Sequence, residues 1–123
     1  MSELATYTFE NNISLITMDD GKANVMSLQM LKDLNAALDR AEQEASPVIL
    51  AGRENMFSGG FDLGVFKSGD NDLILEMLTL GAELSHRMLG FPVPIIAACT
   101  GHAIAMGTFV LLSCDYRIGA NGK

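Results

Sequence analysis

The stretch FSGGFDL (residues 57–63) follows the apolar run VILAG (48–52) and combines two adjacent glycines with an aromatic residue and an acid. A second stretch of the same design, TGHAIAMGTF (100–109), follows the apolar run PIIAAC (94–99). In each, a buried strand is predicted to run into a glycine turn that opens a short helix. Peptide N–H groups at such turns lack partners, so two neighbouring turns can aim two N–H groups at one oxygen atom.

The glycines explain why an aromatic residue can stand at Phe61. Glycine allows close approach of two backbones and unusual φ angles. A backbone donor uses only its N–H, so its side chain is free to line a pocket. The alternative is that both turns are plain connections, because strand-glycine-helix turns are common in α/β folds. Spacing alone favours this alternative.

The elements predicted around the two turns indicate an α/β core, because apolar runs without alternation are typical of buried parallel strands. In chain order we predict a hairpin of YTFE (7–10) and ISLITM (13–18), a loop over 19–25, a helix capped by Ser27 and ending near Ala45, a strand over 48–52, and a loop over 53–64 with one helical turn after Asp62. There follow a helix capped by Asp70 or Asn71 with an apolar stripe of Leu73, Met77, Leu80, Leu84 and Met88, a strand over 95–99, a turn over 101–107, a helix over 107–114 and a strand over 116–119.

Composition excludes several classes of function. The chain has 123 residues, 49% of them hydrophobic, and a net charge of −7, which suits one domain or part of a larger one. An acidic surface argues against nucleic acid and anionic lipid as partners. Residues 91–112 carry no Asp, Glu, Lys or Arg, but their prolines and glycines favour a buried strand, turn and helix over a membrane span. No signal peptide is recognised, so a cytoplasmic location is expected.

Motifs for other chemistries are missing from the sequence. It contains neither G-x-x-x-x-G-K-[ST] nor G-x-G-x-x-G, and Ser58 lacks the first glycine of a nucleophile elbow. His86 and His102 have no metal-ligand spacing around them, so no metal site is expected. We expect His86 at the surface and His102 as a local hydrogen-bonding residue. Cys99 and Cys114, both in apolar runs, are expected to be buried reduced thiols.

Three stretches together, ISLITMDDGKANVMS (13–27), VILAGRENMFSGGFDL (48–63) and PIIAACTGHAIAMGTFVLLSCDYRIG (94–119), resemble the crotonase superfamily, that is, the enoyl-CoA hydratase/isomerase family. The resemblance covers nearly the whole chain in order. It implies a spiral of ββα units followed by a C-terminal helical part that builds trimers. Residues 1–123 correspond to the N-terminal α/β core of such a protein, without the C-terminal helical part.

The resemblance implies a coenzyme A thioester as the substrate, as in fatty acid metabolism, and no cofactor besides the coenzyme A that the substrate carries. It implies that two peptide N–H groups, those of Phe61 and Met106, hold the thioester oxygen and stabilise an enolate. It implies a homotrimer or a dimer of trimers, with neither nucleic acid nor membrane as a partner. The positions implied to line the substrate site are Ala23, Val25, Ser58, Gly60, Asp62, Leu63, Gly107 and Phe109.

Two departures from the family pattern bear on the reaction. The family's Gly-Gly-Gly segment is Ala105-Met106-Gly107 here, and Phe109 stands where hydratases carry a glutamate. Phenylalanine cannot transfer a proton, and the family's second glutamate would lie beyond Lys123. We therefore expect isomerisation rather than efficient hydration, and an inactive chain when residues 1–123 stand alone.

Two other functions stay open at this point. The first is a non-catalytic acyl-CoA-binding or structural subunit of the same fold, because the chain lacks the first acid. The second is an unrelated α/β nucleotide-binding domain, against which the lack of a phosphate-loop motif counts.

Overall fold

A computed structural model describes residues 3–122 of the chain. It contains nine strands and four helices within those residues. In chain order they are β1 (Ala5–Glu10), β2 (Ile13–Met18), β3 (Val25–Met26), α1 (Leu28–Glu44), β4 (Val48–Ala51), β5 (Asn55–Ser58), β6 (Gly60–Phe61), α2 (Leu63–Lys67), α3 (Asn71–Leu89), β7 (Ile95–Cys99), β8 (Gly101–Ala103), α4 (Met106–Leu112) and β9 (Tyr116–Gly119). The predicted α/β class is confirmed.

Five strands form the central sheet, in the order β1-β2-β4-β7-β9. Strands β1 and β2 are antiparallel, and the remaining pairs are parallel. The predicted hairpin is confirmed, and its two turn residues, Asn11 and Asn12, have φ angles of 54° and 61°. Asparagine tolerates positive φ better than other non-glycine residues, which is why it serves in such a two-residue hairpin turn.

Helix α1 covers one face of the sheet and begins and ends as predicted. The Met30 N–H donates to the Ser27 hydroxyl over 3.1 Å, which satisfies one of the free donors at the helix start. Ala45 ends the helix in the left-handed conformation. The inner side of the helix and the inner face of the sheet bury a core that includes Leu34, Leu38 and Ile16.

Helix α3 packs beside α1, and part of the apolar stripe predicted for it is wrong. Asp70 caps it, as one of the two predicted alternatives, by accepting from the N–H groups of Asp72 and Leu73. Leu73, predicted as part of the buried stripe, is 38% exposed because it lies in the first turn, outside the packed part of the helix. Gly81 is buried instead. None of the helices in residues 3–122 has the length and apolar character needed to cross a bilayer.

The predicted loop over 53–64 and the predicted turn over 101–107 are partly wrong, because each contains short strands. Strand β5 pairs with β8 and strand β6 pairs with β3, both in parallel. These strands have two to four residues and no alternating pattern, so the sequence carries no local signal for them. The pairing of β5 with β8 joins the two glycine turns beyond the carboxyl ends of the neighbouring strands β4 and β7.

Candidate active site

The backbones of the two glycine turns touch. A Cβ placed on Gly60 would lie 2.9 Å from the Ile104 carbonyl oxygen and 3.3 Å from the Met106 nitrogen. A Cβ placed on Gly107 would lie 2.4 Å from the Ser58 carbonyl oxygen. Only glycine permits this approach, and Gly60 also has a φ of 95°, which other residues rarely adopt. The two turns that the sequence singled out therefore form one backbone site.

Phe61 follows Gly60 and lies immediately before a helix start. Asp62 is the N-cap of α2, and its carboxylate accepts from the Gly64 N–H over 2.9 Å. The Phe61 ring is half-buried and packs edge-on against Phe66, with ring centroids 6.2 Å apart. The backbone of Phe61 is thereby held between a glycine of special conformation and a capped helical turn.

Met106 is the first residue of α4, and its N–H has no acceptor among residues 3–122. The next three N–H groups, of Gly107, Thr108 and Phe109, donate to the carbonyls of Ile104 or Ala105. An unpaired N–H at the first position of a helix is the normal consequence of helix geometry. Here it lies at the contact with Gly60, the residue before Phe61.

Ala105 takes up a backbone conformation that belongs to glycine. Its φ and ψ are 52° and −119°, and no side chain caps the helix that follows. Such a conformation costs an alanine on the order of 1–3 kcal/mol. The Ala105-Met106-Gly107 segment therefore has a glycine-type backbone at a position that alanine occupies.

Asn24 holds the first glycine turn against the loop over 19–25, a role the sequence did not reveal. Its amide donates to the carbonyls of Met18 and Phe57 over 2.9 and 3.2 Å. The Ser58 hydroxyl donates to the Asn24 carbonyl over 2.7 Å and accepts from the Gly60 N–H over 3.2 Å. Asn24 is fully buried with a φ of 50°. Asparagine tolerates a positive φ, so an asparagine directly before a strand is the one sequence signal that could have indicated this turn.

The structure places the remaining positions of the implied substrate site around the first glycine turn. Ala23 and Val25 lie beside the first turn, since the Ala23 carbonyl accepts from Gly59 over 2.8 Å and Val25 pairs with Gly60. Leu63 is 65% exposed on the outer side of the same turn. The Ser58 side chain is fully buried and engaged in hydrogen bonds, so its influence on a ligand would pass through the backbone.

An open apolar cavity of about 430 Å³ adjoins the two turns. The residues that line it come from the first turn, α3 and α4, and none of them is charged: Phe61, Leu78, Ala82, Ser85, Leu89, Met106, Phe109, Leu112 and Ser113. Phe109 is 62% exposed and faces this cavity. The contact between the two turns therefore lies beside a surface suited to an apolar chain.

The family model for enoyl-CoA hydratase/isomerase matches residues 8–122. The chain belongs to the enoyl-CoA hydratase/isomerase family. It is similar to a probable enoyl-CoA hydratase of Bacillus subtilis, with 34% identity over 114 residues that cover 88% of this chain and 43% of the relative. The chain thus spans about half the length of the curated relatives it matches, such as this one.

Solved structures of the family superpose closely on this fold. A family protein from Pseudomonas syringae has a TM-score of 0.93 and 41% identity, covering 98% of this chain and 52% of that one. One solved structure of a Mycobacterium tuberculosis protein, described as an enoyl-CoA isomerase, has a TM-score of 0.88 and 42% identity, covering 95% of this chain and 51% of that one. A second structure of the same protein, described as a probable enoyl-CoA hydratase, has a TM-score of 0.90 and 43% identity, covering 93% and 49%. The crotonase-like fold expected from the sequence is therefore confirmed.

The two histidines and the two cysteines of this enoyl-CoA hydratase/isomerase family chain do not line the apolar cavity. His86 is exposed, as expected, and so is His102, whose side chain makes no hydrogen bond within residues 3–122, contrary to expectation. Burial raises the pKa of the Cys114 thiol to about 12. Cys99, expected to be buried, is only half-buried, because it lies at the carboxyl end of β7. The described residues contain no cluster of three or more metal-binding side chains.

Proposed function

We propose that this chain supplies the thioester-binding part of an acyl-CoA-processing enzyme of the hydratase/isomerase type. The N–H groups of Phe61 and Met106 bind the thioester oxygen and stabilise the enolate that forms when a proton leaves the neighbouring carbon. The observation that carries the proposal is the contact of the two turns, with the Cβ position of Gly60 only 3.3 Å from the Met106 nitrogen.

The acyl chain lies in the apolar cavity in this proposal, and coenzyme A lies along the first turn. Phe109, Leu112 and Leu89 offer the acyl chain an apolar surface without a charge. Ala23, Val25, Asp62 and Leu63 follow the outer side of the Gly59–Gly60 backbone, where the nucleotide part would bind. Coenzyme A enters as part of the substrate, and the proposed enolate chemistry uses no further cofactor.

Phe109 favours isomerisation over hydration in this proposal. Hydration needs one group to activate water and another to protonate carbon, whereas moving a double bond needs one proton carrier. The phenyl ring offers none, and no acid lines the cavity within the described residues.

The test compares two substrates on the full-length gene product. We expect slow or undetectable hydration of crotonyl-CoA and measurable isomerisation of a 3-enoyl-CoA, followed by absorbance of the conjugated thioester. Phe109→Glu should raise the rate of crotonyl-CoA hydration. Phe109→Gln should not, because glutamine has the shape of glutamate without its charge. Hydration by the wild type with kcat/KM on the order of 10⁶ M⁻¹s⁻¹ would overturn the role given to Phe109.

A non-catalytic acyl-CoA binder is the second candidate, favoured by the missing acid at Phe109. Calorimetry separates it from the first. Binding of butyryl-CoA without turnover of either enoyl-CoA would establish the binder, and the absence of binding would exclude both candidates.

Self-association is the third part of the proposal. Strand β9 lies at the edge of the central sheet with all four residues exposed, including Tyr116 and Ile118. Unpaired sheet edges and exposed apolar faces favour association. We expect residues 1–123 alone to aggregate or to associate through this uncovered edge, and we propose a homotrimer or a dimer of trimers for the full-length gene product. A stable monomer in sedimentation velocity would contradict this.

A further inference from the structure

Gly81 lies in the middle of α3, where glycine is unfavourable. Glycine destabilises a helix interior relative to alanine because its backbone loses more conformational freedom. Gly81 is nevertheless buried, at the point where α3 crosses the two glycine turns. A glycine in this position indicates that something occupies the space a side chain would need.

The space is occupied by the two proposed donor residues. A Cβ on Gly81 would lie 2.5 Å from Cζ and 2.6 Å from Cε1 of Phe61, and 3.4 Å from Cε of Met106. Real Cβ atoms do not approach other atoms within 3.0 Å, so the Phe61 ring would have to move. Phe66 packs on the ring as well, with an interplanar angle of 85°.

The main chain before Phe61 is hydrogen-bonded, since the Gly59 N–H donates to the Ala23 carbonyl and the Gly60 N–H donates to the Ser58 hydroxyl. The Phe61 ring adds a further contact, because it lies on the bare backbone of α3 at Gly81. A Cβ at Gly81 would displace the ring and pull the Phe61 peptide out of this arrangement.

We propose that Gly81 is a positioning residue for the oxyanion hole, acting through the ring of Phe61. The absence of a side chain at Gly81 seats the ring, and the seated ring aims the Phe61 N–H at the thioester oxygen. This inference rests on the proposed function, because it needs an oxygen atom bound at the two turns.

The test uses a probe that reports polarisation of a thioester without needing turnover. In 4-(dimethylamino)cinnamoyl-CoA the excited state places more negative charge on the carbonyl oxygen. Hydrogen bonds to that oxygen therefore move its absorption to longer wavelength. The full-length gene product is compared with Gly81→Ala, Phe61→Leu and the double variant. Leucine lacks Cζ and Cε1, the two atoms that the added methyl group would meet.

We expect Gly81→Ala to lose most of the red shift, and any turnover to fall on the order of 10²-fold, as for an ångström-scale misplacement at a reacting centre. Affinity for free coenzyme A, measured by calorimetry, should stay the same. Phe61→Leu should keep most of the red shift, because a leucine side chain still packs on the bare backbone at Gly81, and the double variant should match it. The matched control is Gly90→Ala at the end of α3, where the nearest atom to an added Cβ is 3.8 Å away.

The possible results distinguish a failure of the proposed thioester binding from a failure of the positioning role of Gly81. No red shift in the wild type overturns the proposed function and this inference together. A red shift in the wild type that Gly81→Ala retains overturns the positioning role alone. If Gly81→Ala does not fold, as judged by circular dichroism, the double variant decides. A red shift equal to that of Phe61→Leu supports the proposal, and a lost one contradicts it.

Discussion

The first glycine turn (57–63) and the second (101–107) each contain one residue with positive φ, but the residue type differs. In the first it is Gly60, with φ of 95°, and in the second it is Ala105, with φ of 52° and ψ of −119°. Glycine adopts such angles without penalty, whereas alanine is strained there. The conformation of the first turn therefore carries no local strain, whereas the conformation of the second turn does.

The support around the two turns differs in the same way. Side chains hold the first turn, through the hydrogen bonds of Asn24 and Ser58 and the cap formed by Asp62. The second turn has no side-chain cap at Ala105, and within it the Thr108 hydroxyl donates to the Ala103 carbonyl over 2.8 Å. The first turn also supports the second, because the Ser58 carbonyl accepts from the Ile104 N–H over 2.9 Å and Gly107 packs against it.

The largest expected effect is on catalysis, through Met106→Pro. Proline is tolerated at the first position of a helix and removes the N–H. Loss of one oxyanion-hole donor typically lowers the rate by roughly 10² to 10³. Met106→Leu, which keeps the N–H, is the control and should stay close to wild type. Equal rates for the proline and leucine variants would show that the second turn donates nothing.

The next largest effect is expected on the free energy of unfolding, when Gly60 in the first glycine turn is replaced by alanine. The added methyl group would have to accept a φ of 95° and a distance of 2.9 Å to the Ile104 oxygen. We expect the free energy of unfolding to fall by about 2–3 kcal/mol, measured by urea titration. Gly69→Ala is the control, because Gly69 has a φ of 71° and an added Cβ would have no atom within 4 Å. Its loss of stability therefore measures the cost of a positive φ alone. If both variants lose the same stability, contact between the turns is not what Gly60 provides.

The smallest effect has the opposite sign. Ala105→Gly relieves the strain of the second turn and should raise the free energy of unfolding by about 1 kcal/mol, after the added freedom of the unfolded chain is subtracted. Ala45→Gly, at the left-handed end of α1, should give a smaller gain because that region is less strained for alanine. A loss of stability in Ala105→Gly would contradict the strain assigned to the second turn.

Local signals in the sequence predicted the elements that local chemistry specifies. The Asn11-Asn12 turn, the Ser27 and Asp70 caps and the apolar strands over 48–52 and 95–99 each have a cause within a few neighbouring residues. The sequence also singled out the two glycine turns that the fold brings into contact, because glycines after buried strands stand out in a sequence.

Contacts between distant segments could not be predicted in this way. Strands β5 and β8 pair across more than forty residues and are too short to carry a period. The hydrogen bonds of Asn24 join two loops, and the seat of the Phe61 ring on Gly81 joins a turn to a helix. An isolated glycine in a helix was visible in the sequence, but only the fold reveals which ring it accommodates.

The most direct test of the central claim is a crystal structure of the full-length gene product with butyryl-CoA, a thioester without a double bond to hydrate or move. We expect the thioester oxygen at about 2.7–3.1 Å from both the Phe61 and the Met106 nitrogen, with the acyl chain against Phe109. A thioester oxygen bound elsewhere, with both N–H groups left to solvent, would contradict the account.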